Sequence, residues 1–173
     1  MSVSDRQPDL SPPPGCQPVA PPSVEGGRGS FVSGEPEGGR LRVAYFRREA
    51  DNAFVGRAWF GPGASGPPGH AHGGSIAAVL DEAMGGAAWI RVAPSVAVHL
   101  EIDFRNMLPL GTVAEVEAHV TSVDGRKVWV EGALRGPDRT LYAEAKGLFL
   151  TVEGARLRPL LNRLRDTDLA PRT

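Results

Sequence analysis

The chain has 173 residues and a formal net charge of −1, a size that suits one domain with a sizeable core. Near-balanced charge provides no electrostatic footprint for nucleic acid or for an acidic membrane surface. No run approaches the roughly 20 continuous apolar residues of a spanning helix, and residues 1–30 lack the basic-then-apolar order of a signal peptide, so a cytoplasmic protein is expected.

Residues 1–38 are rich in proline and glycine, as in Ser11-Pro12-Pro13-Pro14-Gly15 and Gly26-Gly27-Arg28-Gly29-Ser30. Such a composition buries little apolar surface, so most of this stretch is expected to be a flexible tail. Cys16 is the only cysteine, which rules out an internal disulfide framework and fits a reducing compartment. It has no nearby histidine and is not expected to be a nucleophile.

From Leu41 the pattern changes to short runs of β-branched and aromatic residues. Residues 41–48 and 52–60 are predicted to form a hairpin, and the loop 61–69 leads into a helix over 74–91 that Pro94 ends. In the strand that follows, 95–105, Val96, Val98, Leu100, Ile102 and Phe104 alternate with Ser95, Ala97, His99, Glu101 and Asp103, which predicts one buried and one polar face. Strands over 112–123, 127–135 and 140–152 then form an antiparallel meander with short turns. Residues 154–173 are expected to be a C-terminal extension with a short helix, leaving 39–153 as the domain. One long, nearly apolar helix must be covered on most sides, and a curved antiparallel sheet wrapped around it does so, giving an α+β fold. Open sheet edges are commonly hidden by a second copy, so a homodimer or tetramer is expected.

The most informative stretch is Gly69-His70-Ala71-His72-Gly73-Gly74-Ser75, which places His-Gly-Gly at a helix start with Asp81 about two and a half turns later. Free N–H groups in a helix's first turn can donate to a developing oxyanion, and the glycines let a ligand approach the backbone. Helical spacing puts Asp81 on one face with Ala77, Ala78, Gly85 and Ala88, while Ile76, Val79, Leu80, Ala83 and Ala87 form the apolar side. An acid among small apolar residues has a raised pKa, which suits a base near neutral pH. Glu82 points about 100° further round the helix, toward solvent or a dimer edge.

The same residues bear on three other chemistries. His70 and His72 form a His-x-His that invites a metal together with Asp81 or Glu82, but no third ligand stands at compact spacing, so no metal is expected. Gly73-Gly74-Ser75-Ile76-Ala77 narrowly misses the nucleophile elbow of serine hydrolases, and the antiparallel strands do not suit it. A hydratase or dehydratase needs a second acid–base group beyond Asp81 and His72, and none is evident.

His72-Gly73-Gly74 with Asp81 at the seventh position after Gly74, together with Asp103-Phe104-Arg105 and Leu108-Pro109-Leu110-Gly111, resembles the hotdog-fold acyl-CoA thioesterases, in particular their PaaI-type (phenylacetyl-CoA thioesterase-like) branch. The resemblance spans about 41–152 and is most specific over 68–86. It implies hydrolysis of an acyl-CoA thioester, with no metal or redox cofactor, at a site shared between two subunits. In that family the Gly73 N–H would polarise the carbonyl, and Asp81 of the neighbouring subunit would act as general base or nucleophile. His72 would shape the loop or contact the thioester, and Gly74, Ser95, His99 and Glu82 complete the candidate substrate-binding set. Where relatives carry Ser or Thr on the strand after the helix, this chain has Ala97, flanked by Ser95 and His99. The loop before His72 likewise reads Gly66-Pro67-Pro68 where many relatives have a polar residue. The first reading is the thioesterase; these departures keep open the alternative, a hotdog domain that binds acyl thioesters or a protein partner without turning them over.

Overall fold

The computed structural model describes residues 7–20 and 30–152. The expected C-terminal extension, 154–173, lies outside them. A single antiparallel sheet of seven strands curves around one helix. In chain order the elements are β1 (Cys16–Pro18), β2 (Leu41–Arg48), β3 (Phe54–Phe60), α1 (Gly73–Arg91), β4 (Ser95–Phe104), β5 (Val113–Asp124), β6 (Lys127–Arg135) and β7 (Leu141–Thr151). Their order across the sheet is β1-β2-β3-β5-β6-β7-β4, so the connection through α1 carries the chain to the far edge, β4, and the next connection returns it to β5 beside β3.

Period-2 patterning drives the sheet. On β5, Ala114, Val116 and Ala118 are buried against the helix while Glu115, Glu117 and His119 face outward. On β6, Val128, Val130 and Leu134 do the same opposite Glu131. The helix answers with Ile76, Val79, Leu80, Ala83, Met84, Ala87 and Ala88, all buried. Gly86 allows the close approach: a Cβ there would lie 2.5 Å from the Phe54 ring. Among the described residues no helix is long and apolar enough to cross a membrane.

Two expectations are corrected. Part of the stretch read as a flexible tail is seated on the domain, because Cys16, Gln17 and Pro18 pair with Arg48, Arg47 and Phe46 and seal the β2 edge. Further along, Val32 is buried in the core. The second correction concerns β4, whose apolar face is only partly buried within one chain: Leu100 and Ile102 pack against the core and the rest does not. Val96, Val98 and Phe104 are about half exposed, and the strand carries a bulge between Ala97 and His99. An edge strand has a neighbour on one side only, so alternation there marks a surface that still needs a partner.

Candidate active site

The loop before the helix is held by backbone hydrogen bonds. Ala71 N–H donates to Leu108 O (2.8 Å), His72 N–H to Ala64 O (2.7 Å) and Leu110 N–H to Gly69 O (3.0 Å). Gly69 sits at φ +75°, where a side chain would be strained, and a Cβ on Gly66 would lie 2.6 Å from the His72 Cα. His72 is thereby delivered to the N-cap of α1. Its Nδ1 accepts from Gly74 N–H at 2.9 Å, and its carbonyl accepts from Ser75 N–H and from the Ser75 hydroxyl.

This arrangement divides the residues of the motif by role. His72 is the cap, and because Nδ1 accepts, the ring proton resides on Nε2. Gly74 N–H is occupied by that cap, whereas Gly73 N–H has no acceptor among the described residues and remains available at the positive end of the helix. Beside Gly73 lies the exposed Phe104 ring, 3.4 Å from where a Cβ would stand. His70 bends away, with its Nδ1 2.8 Å from Pro68 O. Among the described residues no three His, Cys, Asp or Glu side chains are placed to hold a metal ion.

Asp81 is half-buried on α1, and desolvation pushes its pKa above the ordinary carboxylate range. It lines a cleft of about 370 Å³ with Ala78, Glu82, Gly85, Gly86 and Trp89 of the helix, Ser95 to Ala97 of β4, Phe149 of β7 and Ser30 to Val32. Ala88, expected on the same face, is instead fully buried. Ser95 is 6% exposed; its carbonyl accepts from Trp89 Nε1 at 2.7 Å, and its hydroxyl has no partner. A buried hydroxyl with unused hydrogen-bonding capacity in the same cleft as a carboxylate is equipped to hold a water. The structure therefore brings Asp81, Glu82 and Ser95 together. His99 is exposed beyond the β4 bulge and does not line this cleft.

Glu82 is also half-buried rather than solvated. The Ser30 hydroxyl donates to its Oε2, and the Ser33 and Tyr45 hydroxyls stand beside it. Burial raises its pKa, and those hydroxyls oppose the rise. Ser30, Phe31, Ser33 and Tyr45 were not anticipated as neighbours of the site, because the Ser30–Glu82 contact joins residues 52 apart in the chain. One signal was available: Phe31 is the only aromatic residue in 1–40.

A larger concavity, about 540 Å³, lies on the outer face of the sheet among charged side chains. There Arg105 is held by Asp103 and Glu144 and Arg139 by Glu115, so both guanidinium groups are already paired.

Residues 68–143 match the model of the "Thioesterase superfamily". Acyl-coenzyme A thioesterase THEM4 of Xenopus laevis is 32% identical over 117 residues, covering 67% of this chain and 53% of that protein. The chain thus spans about half the length of the curated relatives it matches. Among solved structures, a Bacillus halodurans protein with CoA superposes with a TM-score of 0.52 at 25% identity, over 56% of this chain and 65% of the other. The E. coli PaaI protein from the phenylacetic acid degradation operon shares the fold, with a TM-score of 0.59 at 17% identity over 66% and 80% of the two chains. The curved sheet around one helix, the His72-Gly73-Gly74 helix start and these matches agree: the chain has the hotdog fold, and its residues 68–143 are similar to the thioesterase superfamily.

Proposed function

We propose that this chain hydrolyses acyl-CoA thioesters, with Asp81 activating the water and Gly73 N–H polarising the carbonyl. The observation that carries this reading is a half-buried carboxylate of raised pKa in the same cleft as the unpartnered Ser95 hydroxyl. A water held between them attacks the carbonyl carbon as Asp81 takes its proton. The oxyanion that forms is met by Gly73 N–H, the C–S bond breaks, and the proton returns to the thiolate to give acid and free thiol. The same carboxylate can instead attack the carbonyl carbon directly and expel the thiolate, forming an anhydride that water then opens to the acid and the regenerated carboxylate.

Neither route calls for a metal or redox cofactor, since a thioester needs only modest activation. The curated relatives bear the name acyl-coenzyme A thioesterase, and the Bacillus halodurans structure contains CoA, which supports coenzyme A as the carrier. Eight residues of helix separate Gly73 from Asp81, a rise of about 12 Å, too far for both to serve one carbonyl within one chain. The reading therefore includes a second copy paired along β4, whose Val96, Val98 and Phe104 stand half exposed. The single Cys16 and the small net charge suit work in the cytoplasm, away from nucleic acid and membrane.

The test is thiol release from short, medium, long and aromatic acyl-CoAs by the intact protein and by Asp81→Asn. A loss of about a hundredfold or more on the best substrate is expected. Equal, slow release by both proteins across the panel overturns the reading in favour of a binding domain, to which Ala97 in the cleft would then belong.

A further inference from the structure

We propose that Phe31 is a specificity-determining wall of the acyl pocket and that Glu82 is the positioning residue that holds it there. The proposal rests on the thioesterase reading of the Asp81 cleft and adds what that cleft measures. Its large apolar lining comes from Trp89, Val96, Phe149, Val32 and Phe31; of these Phe31 and Val32 lie outside the helix and sheet, and Val32 is buried in the core whereas Phe31 is exposed.

Phe31 is 71% exposed, an unusual place for a phenyl ring to be fixed, yet it is anchored on both sides. Before it, the Ser30 hydroxyl donates to Glu82, and the same oxygen accepts from Val32 N–H (3.1 Å) and Ser33 N–H (3.4 Å). Gly34 N–H closes the turn on Ser30 O at 2.8 Å. After it, Val32 is 5% exposed in the core. The Arg40 guanidinium lies 5.2 Å from the ring centroid and steadies the ring itself. Residues flanking an exposed ring are seldom tied so firmly unless the position of the ring matters, and its position is the mouth of the cleft that holds Asp81.

Glu82 therefore acts through the turn and not on the thioester. Both acids line the cleft, but the Glu82 carboxylate is engaged by Ser30 and flanked by the Ser33 and Tyr45 hydroxyls, whereas no side chain among the described residues hydrogen-bonds to Asp81. In the proposed pocket an acyl chain long enough to fill the cleft meets Phe31. A short chain does not reach it. Chain length is thus read by a residue of the segment that composition marks as tail.

The experiment compares kcat and KM for CoA thioesters of short, medium and long saturated acyl groups across wild type, Phe31→Ala, Glu82→Ala, Glu82→Gln and the double variant Phe31→Ala/Glu82→Ala. Phe31→Ala is expected to change the long-to-short ratio of kcat/KM by about tenfold or more, the scale on which an apolar pocket discriminates. Glu82→Ala is expected to shift the ratio in the same direction, and the double variant to match Phe31→Ala alone because the two residues act as one unit. Glu82→Gln keeps an acceptor for Ser30 and is expected to keep the wild-type length profile. A common factor across all lengths in Phe31→Ala, or additive effects in the double variant, overturns the proposal. Phe31→Ala, at an exposed position, decides the matter even where Glu82→Ala does not fold. If wild type releases no thiol, the thioesterase reading fails separately. Equilibrium binding of S-alkyl-CoA thioethers of the same lengths then tests the wall, which is refuted if wild type and Phe31→Ala bind the series alike.

Discussion

Asp81 is held where water is partly excluded, and that placement has a thermodynamic consequence as well as a catalytic one. Burial raises its pKa in the folded chain above that of an unfolded aspartate, about 3.9. The native state therefore binds the proton more tightly than the unfolded state does. The associated stability is fully present below the unfolded pKa and is lost as pH rises through the folded value. Above that window the charged Asp81 works against the fold. Asp81→Asn, neutral at every pH, is expected to have a higher thermal midpoint than wild type at pH 7, and the gap is expected to close as pH falls below about 4. Midpoints of both proteins across that range provide the check, and a variant less stable than wild type at pH 7 would sink the argument. The exchange of stability for an activated carboxylate is the usual sign of a residue kept for chemistry. Its alanine and glycine neighbours made this legible from helical spacing. The Ser30–Glu82 contact was not legible, because nothing local to either residue points to the other.

At the scale of the element, α1 depends on an uncommon cap. Histidine is not among the favoured N-cap residues, yet the side chain of His72 accepts from Gly74 N–H as an asparagine or serine would. His72→Ala is expected to cost about 1 kcal/mol by chemical denaturation, and His72→Asn to recover most of it. If His72 also touched the thioester, His72→Asn would restore stability and leave a deficit in kcat; a cap alone predicts recovery of both.

Strand boundaries were read well where alternation met a buried face on both sides, and β2 and β6 begin and end where the pattern says. The sequence reading of β4 failed for a physical reason: alternation reports that a face wants to be covered but not which chain covers it. A three-residue strand such as Cys16–Pro18, set among prolines, carries too short a pattern to read at all.

For the whole molecule, the decisive geometry is the separation along one helix of the two groups that the proposed reaction uses. Gly73 N–H lies at the N-terminus of α1 and Asp81 about 12 Å along it, so the proposed reaction draws one group from each of two copies at each centre. Gly73 is the first helical position, where proline is tolerated because its missing N–H is not used by the helix. His72, at φ −68° and ψ 137°, already has the extended conformation that precedes proline well. Gly73→Pro should therefore remove the carbonyl-polarising donor with little loss of fold, and a drop in kcat of about 10²–10³ is expected. Asp81→Asn removes the other half. Mixed and reassembled in equal amounts, the two inactive proteins form hybrid dimers in which one site has lost both groups and the other retains both. About a quarter of wild-type activity is then expected to return, since half the dimers are hybrids with one working site of two. Should the donor and the base come from the same chain, every site in every hybrid would lack one of them, and mixing would restore nothing. Recovery on mixing, read alongside the absence of activity in either parent, thus separates a shared site from a self-contained one without needing any knowledge of the natural acyl group.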